Sequence, residues 1–171
     1  MTGALVAGLL LLSALGSLLW ASPSKTERRH AEMRALAMQK GLSLTTLNIA
    51  DTSERGRIES RRRLVTGYKL RTRGQFRPRL PELTIVRTEG ESGYGLPDGW
   101  VWHDAAFRLR GAEQQRLLDC IEGLPDWVEC LAVLPDGLAI GFEERGGADR
   151  VEAVIRLLEN RLYEVISSNP V

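Results

Sequence analysis

The chain has 171 residues, with 23 Lys/Arg against 22 Asp/Glu, 43% hydrophobic residues and two cysteines. That length suits one modest domain, and the composition excludes a collagen-like chain, a disulfide-dense secreted scaffold and a wholly disordered protein. The net charge of +1 conceals an uncharged start and two later halves of opposite sign.

No charged side chain occurs from Met1 to Ser24, and Thr2 to Ala21 is almost continuously apolar. Twenty helical residues span about 30 Å, the thickness of a bilayer's hydrocarbon core. Trp20 sits where an interfacial aromatic anchor belongs, and Pro23 opposes smooth continuation of the helix. The segment 1–22 therefore reads as a transmembrane helix. A cleaved signal peptide fits less well, because the n-region lacks Lys or Arg and Leu19 and Trp20 occupy the −3 positions before Ala21 and Ser22. Lys25, Arg28, Arg29, Arg34 and Lys40 follow the span at once. By the positive-inside rule they place the N-terminus outside and the remainder in the cytoplasm. Gly3/Ala7, Ala4/Gly8 and Ser13/Ser17 are small residues at i,i+4 spacing. They offer a contact face for another span, or else the ordinary composition of a membrane helix.

Ser24-Lys25-Thr26-Glu27 has the form of a capping box, and Gly41 is a good terminator, so a helix is predicted over Lys25–Lys40. Its thin apolar face (Met33, Leu36, Ala37) and many cations suggest a basic juxtamembrane stalk, residues 23–41, rather than a core element. The domain proper is then residues 42–171. Strands are predicted at Leu42–Ile49, Arg63–Arg73, Leu83–Thr88 and Trp100–His103 from alternation and β-branched content. Asp51–Glu59 reads as a loop, and Pro78 and Pro81 interrupt the chain before the third strand. Ala112–Ile121 reads as a helix closed by Gly123, with Leu117, Leu118 and Ile121 inward. Strands Trp127–Leu134 and Leu138–Glu143 flank Pro135-Asp136-Gly137, a hairpin signal in which Gly is free to take positive φ. Ala148–Val165 carries an inward stripe of Val151, Val154, Ile155, Leu158 and Leu162. The order predicts an α+β fold: an N-terminal transmembrane helix, then a small domain with a mainly antiparallel sheet and two packed helices on one face.

Residues 25–81 hold 15 Lys/Arg against 5 Asp/Glu, a net of +10, whereas residues 82–171 hold 8 against 17, a net of −9. The basic half is densest from Arg55 to Arg79. Within it Arg61, Arg62, Arg63, Lys69, Arg71 and Arg73 form the candidate surface for an anion or partner. Lys69, Arg71 and Arg73 alternate along a strand, which sets them on one face about 7 Å apart. Anionic lipid headgroups are one ligand for such a row. An acidic protein surface is another, including the acidic half of this chain or of a second copy. Nucleic acid is disfavoured, since only Tyr68 and Phe76 interleave the cations. The plain alternative is a solvated face that helps set topology.

No catalytic constellation emerges. His103-Asp104 is the sole His beside a carboxylate, Ser92 lacks a nucleophile framework, and His30 stands alone in the stalk. Cys120 and Cys130 match neither a redox nor a zinc spacing and read as small buried residues. Gly90–Gly95 and Gly146-Gly147 lack the context of a phosphate loop, and Glu143-Glu144 has no pocket pattern around it. Trp100, Trp102 and Trp127 read as core. The expectation is no enzyme activity, no cofactor and no metal.

The apolar span, Trp20, Pro23-Ser24-Lys25-Thr26-Glu27-Arg28-Arg29, then Ala31, Arg34, Ala37 and Gly41-Leu42 resemble a group of uncharacterised proteobacterial single-span inner-membrane proteins. Glu144-Arg145-Gly146-Gly147 before a terminal helix is similar to their C-terminal end, and some of the group are labelled YajC-like, after a small accessory subunit of the preprotein translocase. The resemblance implies a bacterial inner membrane and an accessory role, and carries over no catalytic residue. The expected function is a membrane-anchored, non-enzymatic accessory or assembly subunit beside a membrane protein complex, with anionic-lipid or phosphate binding through residues 55–79 as the alternative.

Overall fold

A computed structural model describes residues 24–50, 62–71, 80–90, 92–104 and 108–162, together with Ser13. The expected span, residues 1–22, lies outside the described residues apart from Ser13, as do the expected loop Asp51–Glu59, Pro78 and the segment beyond 162. Among the described residues no helix is long and apolar enough to cross a membrane. The chain divides into two compact units, Met1–Glu32 and Met33–Val171.

In the first unit the capping box forms as expected. The Glu27 amide donates to Ser24 Oγ at 3.2 Å, and the Ser24 amide donates to Glu27 Oε2 at 2.6 Å. That backbone donor also holds the Glu27 carboxyl below its ordinary pKa. Helix α1 covers Lys25–Gln39.

The second unit is α+β. Its strands are β1 (Ser43–Ala50), β2 (Arg62–Arg71), β3 (Leu83–Arg87), β4 (Trp100–Trp102), β5 (Val128–Leu134) and β6 (Gly137–Phe142). Helix α2 (Gly111–Ile121) precedes β5, and α3 (Ala148–Arg156) runs on into a π-helical turn at Leu157–Leu162. The six strands form one sheet in the order β1-β2-β6-β5-β3-β4, every pairing antiparallel. The element order and types are those the sequence predicts, with one correction. Three helices are present rather than two packed ones, because the second half of α1 belongs to this unit: Met33 and Ala37 are buried in its main core. The part of the predicted stalk from Met33 onward thus packs in the domain, whose first core residue is Met33 rather than one after residue 41. Met33 and Ala37, with Leu36 packed partly buried against the same core, suffice where the helix also brings a charged anchor, described below.

The helix ends as a Schellman motif. Gly41 takes φ +90°, its amide donates to Met38 O at 3.1 Å, and the Leu42 amide donates to Ala37 O at 3.0 Å. That turn delivers the chain directly into β1.

All three helices contribute to one face of the sheet. The main core joins Met33 and Ala37 of α1, Leu117, Cys120 and Ile121 of α2, and Val151, Val154 and Leu158 of the last helix to Tyr68, Ile85, Trp100, Trp102, Leu131, Ile140 and Phe142. The predicted inward stripe of the last helix is met at Val151, Val154 and Leu158; on α2, Cys120 is buried where Leu118 is only half-buried. Tyr68 and Phe142 stack with centroids 4.9 Å apart, and Trp127 meets Phe142 edge-on at 5.1 Å. Trp100 and Trp102 are buried as core residues, with the Trp102 indole donating to Tyr94 O at 3.0 Å. The opposite face carries a second, smaller apolar cluster of Leu47, Ile49, Val65, Val86, Val101, Cys130, Ala132 and Ala139, all of them strand residues.

Candidate functional site

The strongest concentration of interacting polar side chains joins the basic and acidic halves. Three acids that border or interrupt the β5–β6 hairpin face cations from α1 and β2. Glu144, two residues past β6, takes a two-pronged hydrogen bond from Arg34: Nε to Oε1 at 2.9 Å and Nη2 to Oε2 at 2.6 Å. Tyr68 donates its hydroxyl to the same Oε1 at 2.6 Å, and Arg34 Nη2 also reaches Thr66 Oγ1 at 3.3 Å. The Glu144 side chain is only 7% exposed, whereas Arg34 keeps 42%. Burial and the neighbouring carboxylate both push the Tyr68 hydroxyl above its ordinary pKa of 10. Arg34 is in turn held above its ordinary value by the Glu144 hydrogen bond.

Asp136 lies in the two-residue turn between β5 and β6. Its Oδ2 accepts from Lys69 Nζ at 2.7 Å, and Arg71 Nε stands 4.0 Å away. The Lys69 ammonium holds the Asp136 carboxyl below the usual carboxylate range. Glu129 is the extra residue at a register shift in β5, where Val128 opposes Phe142 and Cys130 opposes Gly141. Such a bulge re-aims its side chain, and Glu129 meets Arg63 Nη2 at 2.8 Å, linking β5 to β2 although β6 lies between them. Three acids of the acidic half thus pair with Arg34, Arg63, Lys69 and Arg71 of the basic half within one chain.

The predicted anion row is changed accordingly. Lys69 and Arg71 do share a sheet face, as their alternation requires, yet Lys69 is buried and both converge on Asp136. Arg63 is engaged with Glu129, and Arg62 is exposed. Arg61 and Arg73 lie outside the described residues. The pair Glu143-Glu144 separates: Glu144 is the anchor just described, while Glu143 is exposed and pairs with Arg145. Sequence reasoning missed Glu144 because its partner Arg34 lies 110 residues away. The available signal was an acid set directly after an apolar strand.

A groove of ≈ 290 Å³ lies beside this anchor, lined by Arg34, Leu44, Thr45, Thr46 and Thr66. Its polar groups are three hydroxyls and a guanidinium already forked onto Glu144, a set suited to hydrogen bonding rather than proton transfer near neutrality. Elsewhere, Arg87 is a structural clamp. Its Nε donates to Val128 O at 2.8 Å, its Nη2 donates to Pro125 O at 3.0 Å, and its guanidinium lies 4.6 Å from the Trp100 ring centre. Desolvation lowers its pKa. His103 directly follows β4 and is half-buried, with its amide donating to Thr84 O at 2.9 Å, and Ser92 is exposed in the preceding loop.

Cys120 and Cys130 are both buried, and neither is in a disulfide. Cys120 belongs to the helix-covered core and Cys130 to the cluster on the other sheet face. Burial pushes both thiols up to about 12, which leaves them protonated and inert in the native fold. No group of three or more His, Cys, Asp or Glu poised to hold a metal occurs among the described residues. Comparison with protein-family models, with curated proteins and with solved structures finds no match to this chain.

Proposed function

We propose that the chain is a single-pass protein of a bacterial inner membrane, N-terminus outside, and that its α+β domain serves in the cytoplasm as a non-enzymatic accessory or assembly module beside a membrane protein complex. The observation that carries this reading is the uncharged, apolar segment from Met1 to Ser24 followed at once by Lys25, Arg28 and Arg29. Only residues 23–32 separate the proposed span, residues 1–22, from the first core residue, Met33. A stretch of ten residues reaches at most about 36 Å even when fully extended. A domain on so short a leash stays within reach of membrane neighbours, which raises its effective concentration for them.

Among the described cations of residues 55–79, the pairing of Arg63, Lys69 and Arg71 within the chain weakens their part in the alternative, an anionic-lipid or phosphate binder working through residues 55–79. A cation already neutralised within its own fold adds little attraction to an anionic surface. Alkaline extraction of membranes tests the anchor. The full chain is expected to stay in the membrane pellet, and protease is expected to digest its domain in inverted vesicles but not in spheroplasts. Release into the supernatant, or digestion in spheroplasts, would contradict the proposal.

A further inference from the structure

The cations of the domain and those of the first helical turns are in different situations. Arg34, Arg63, Lys69 and Arg71 each face an acid of the same chain. Lys25, Arg28 and Arg29 are all exposed on α1, and among the described residues none of the three is drawn into an ion pair. Their i, i+3, i+4 spacing sets them on one face of the helix. The acids nearby do not cancel them. Glu27 is engaged in the capping box with Ser24, and Glu32 is a single exposed acid at the far end of that face. Three cations against one acid leave the face positive.

We infer that Lys25, Arg28 and Arg29 form a binding face for the phosphates of anionic phospholipids. The contact presupposes the proposed span, residues 1–22. Lys25 lies three residues past that span, at most about 11 Å along the chain. Arg28 and Arg29 stand only about 5–6 Å further along the helix axis. The headgroup region is about 5–7 Å deep on each side of the hydrocarbon, and Lys and Arg extend long stems that carry their charge to its preferred level. Proximity decides for lipid over an acidic protein surface, because headgroups surround the chain wherever the span sits. An anionic headgroup is preferred to a zwitterionic one because it brings no cation of its own against the three side chains. The face lies outside residues 55–79, and it selects a lipid class where topology alone requires only a charge imbalance.

Spin-labelled lipids in vesicles holding the full chain test it. The chain is reconstituted into phosphatidylcholine vesicles with a trace of spin-labelled phosphatidylglycerol or spin-labelled phosphatidylcholine, and the immobilised fraction of each label is compared. Phosphatidylglycerol is expected to be preferred at least about threefold at low salt, and the preference is expected to fade in about 1 M salt. Lys25→Gln/Arg28→Gln/Arg29→Gln is expected to bring the two lipids to parity. Lys40→Gln/Arg62→Gln/Arg110→Gln, which removes the same charge from exposed positions elsewhere, is expected to keep the preference. Parity in the unaltered chain, or a preference that survives the first triple substitution, overturns the inference. Parity in a chain that still resists alkaline extraction from the vesicles overturns the lipid face and leaves the anchor standing, whereas extraction of the chain overturns both. Parity together with loss of the membrane complex in the first triple variant would assign the face to an acidic protein surface instead.

Discussion

Replacing Gly137 with alanine is expected to destabilise the domain by roughly 2–4 kcal/mol, the sum of backbone strain and a forced displacement of packed atoms. Gly137 opens β6 directly after the Pro135-Asp136 turn and takes φ +155°, a conformation that L side chains rarely adopt. A Cβ there would run into the carbonyl of Leu70, and its distance to Arg71 Cα would be 3.1 Å. Both neighbours are backbone of β2, hydrogen-bonded into the sheet, and cannot rotate aside. The same shift would pull Asp136 away from Lys69. For a chain of this size, that loss corresponds to a Tm lowered by about 5–15 °C. Gly41→Ala is the control: its φ is +90°, but nothing lies within 4 Å of the added Cβ. It carries the strain alone, about 1 kcal/mol. Thermal unfolding of the two variants by circular dichroism checks the contrast, and equal losses would show that the contact with β2 does not matter.

The second large effect is expected at Glu144. Glu144→Ala removes the acceptor of the Tyr68 hydroxyl, which is buried, and of the Arg34 fork. The stranded hydroxyl dominates, at about 1–3 kcal/mol. Arg34 is 42% exposed and can turn to water, so its share is small. Tyr68→Phe removes donor and need together and is expected to cost only about 1 kcal/mol. The ordering, Glu144→Ala well beyond Tyr68→Phe, separates a stranded buried donor from a simple lost bond. Denaturant unfolding measures both.

The same tyrosine sets an alkaline limit. In the unfolded chain its hydroxyl ionises near pH 10, whereas in the fold it keeps its proton to higher pH. Below pH 10 both states are protonated and the contribution is fully present. Above pH 10 the unfolded state binds fewer protons, and stability falls by up to about 1.4 kcal/mol per pH unit. The two buried thiols begin a similar decline nearer pH 9. Tyr68→Phe is therefore expected to abolish only the part of the slope that sets in above pH 10. An unchanged alkaline slope in that variant would remove Tyr68 as its source.

Local pattern made most elements legible. Alternation located β1 and β2, Pro135-Asp136-Gly137 located the hairpin, and the capping box and Gly41 bounded α1. The strand order was not legible, because alternation says which face a side chain takes and nothing about which strand lies beside it. That β2 pairs with β6 rather than β3 follows from contacts between residues about 70 positions apart, such as Gly67 with Gly141. Helix α1 was read as a stalk for a related reason. Met33 and Ala37 form a thin stripe, and what docks that half of the helix is Arg34 on a glutamate 110 residues further on. The opposite charges of the two halves were visible in the sequence. Their meaning, a set of intramolecular pairs between α1, β2 and the surroundings of the β5–β6 hairpin, depended on the fold.

We propose that the chain places a small domain beside a membrane complex. Crosslinking of the full chain in native membranes, followed by purification and mass spectrometry, with a chain lacking residues 1–22 as control, tests it most directly. One membrane complex is expected, recovered in stoichiometric amount with the full chain and lost with the shortened one. Recovery of lipid and background alone, or of the same partners without residues 1–22, would contradict it.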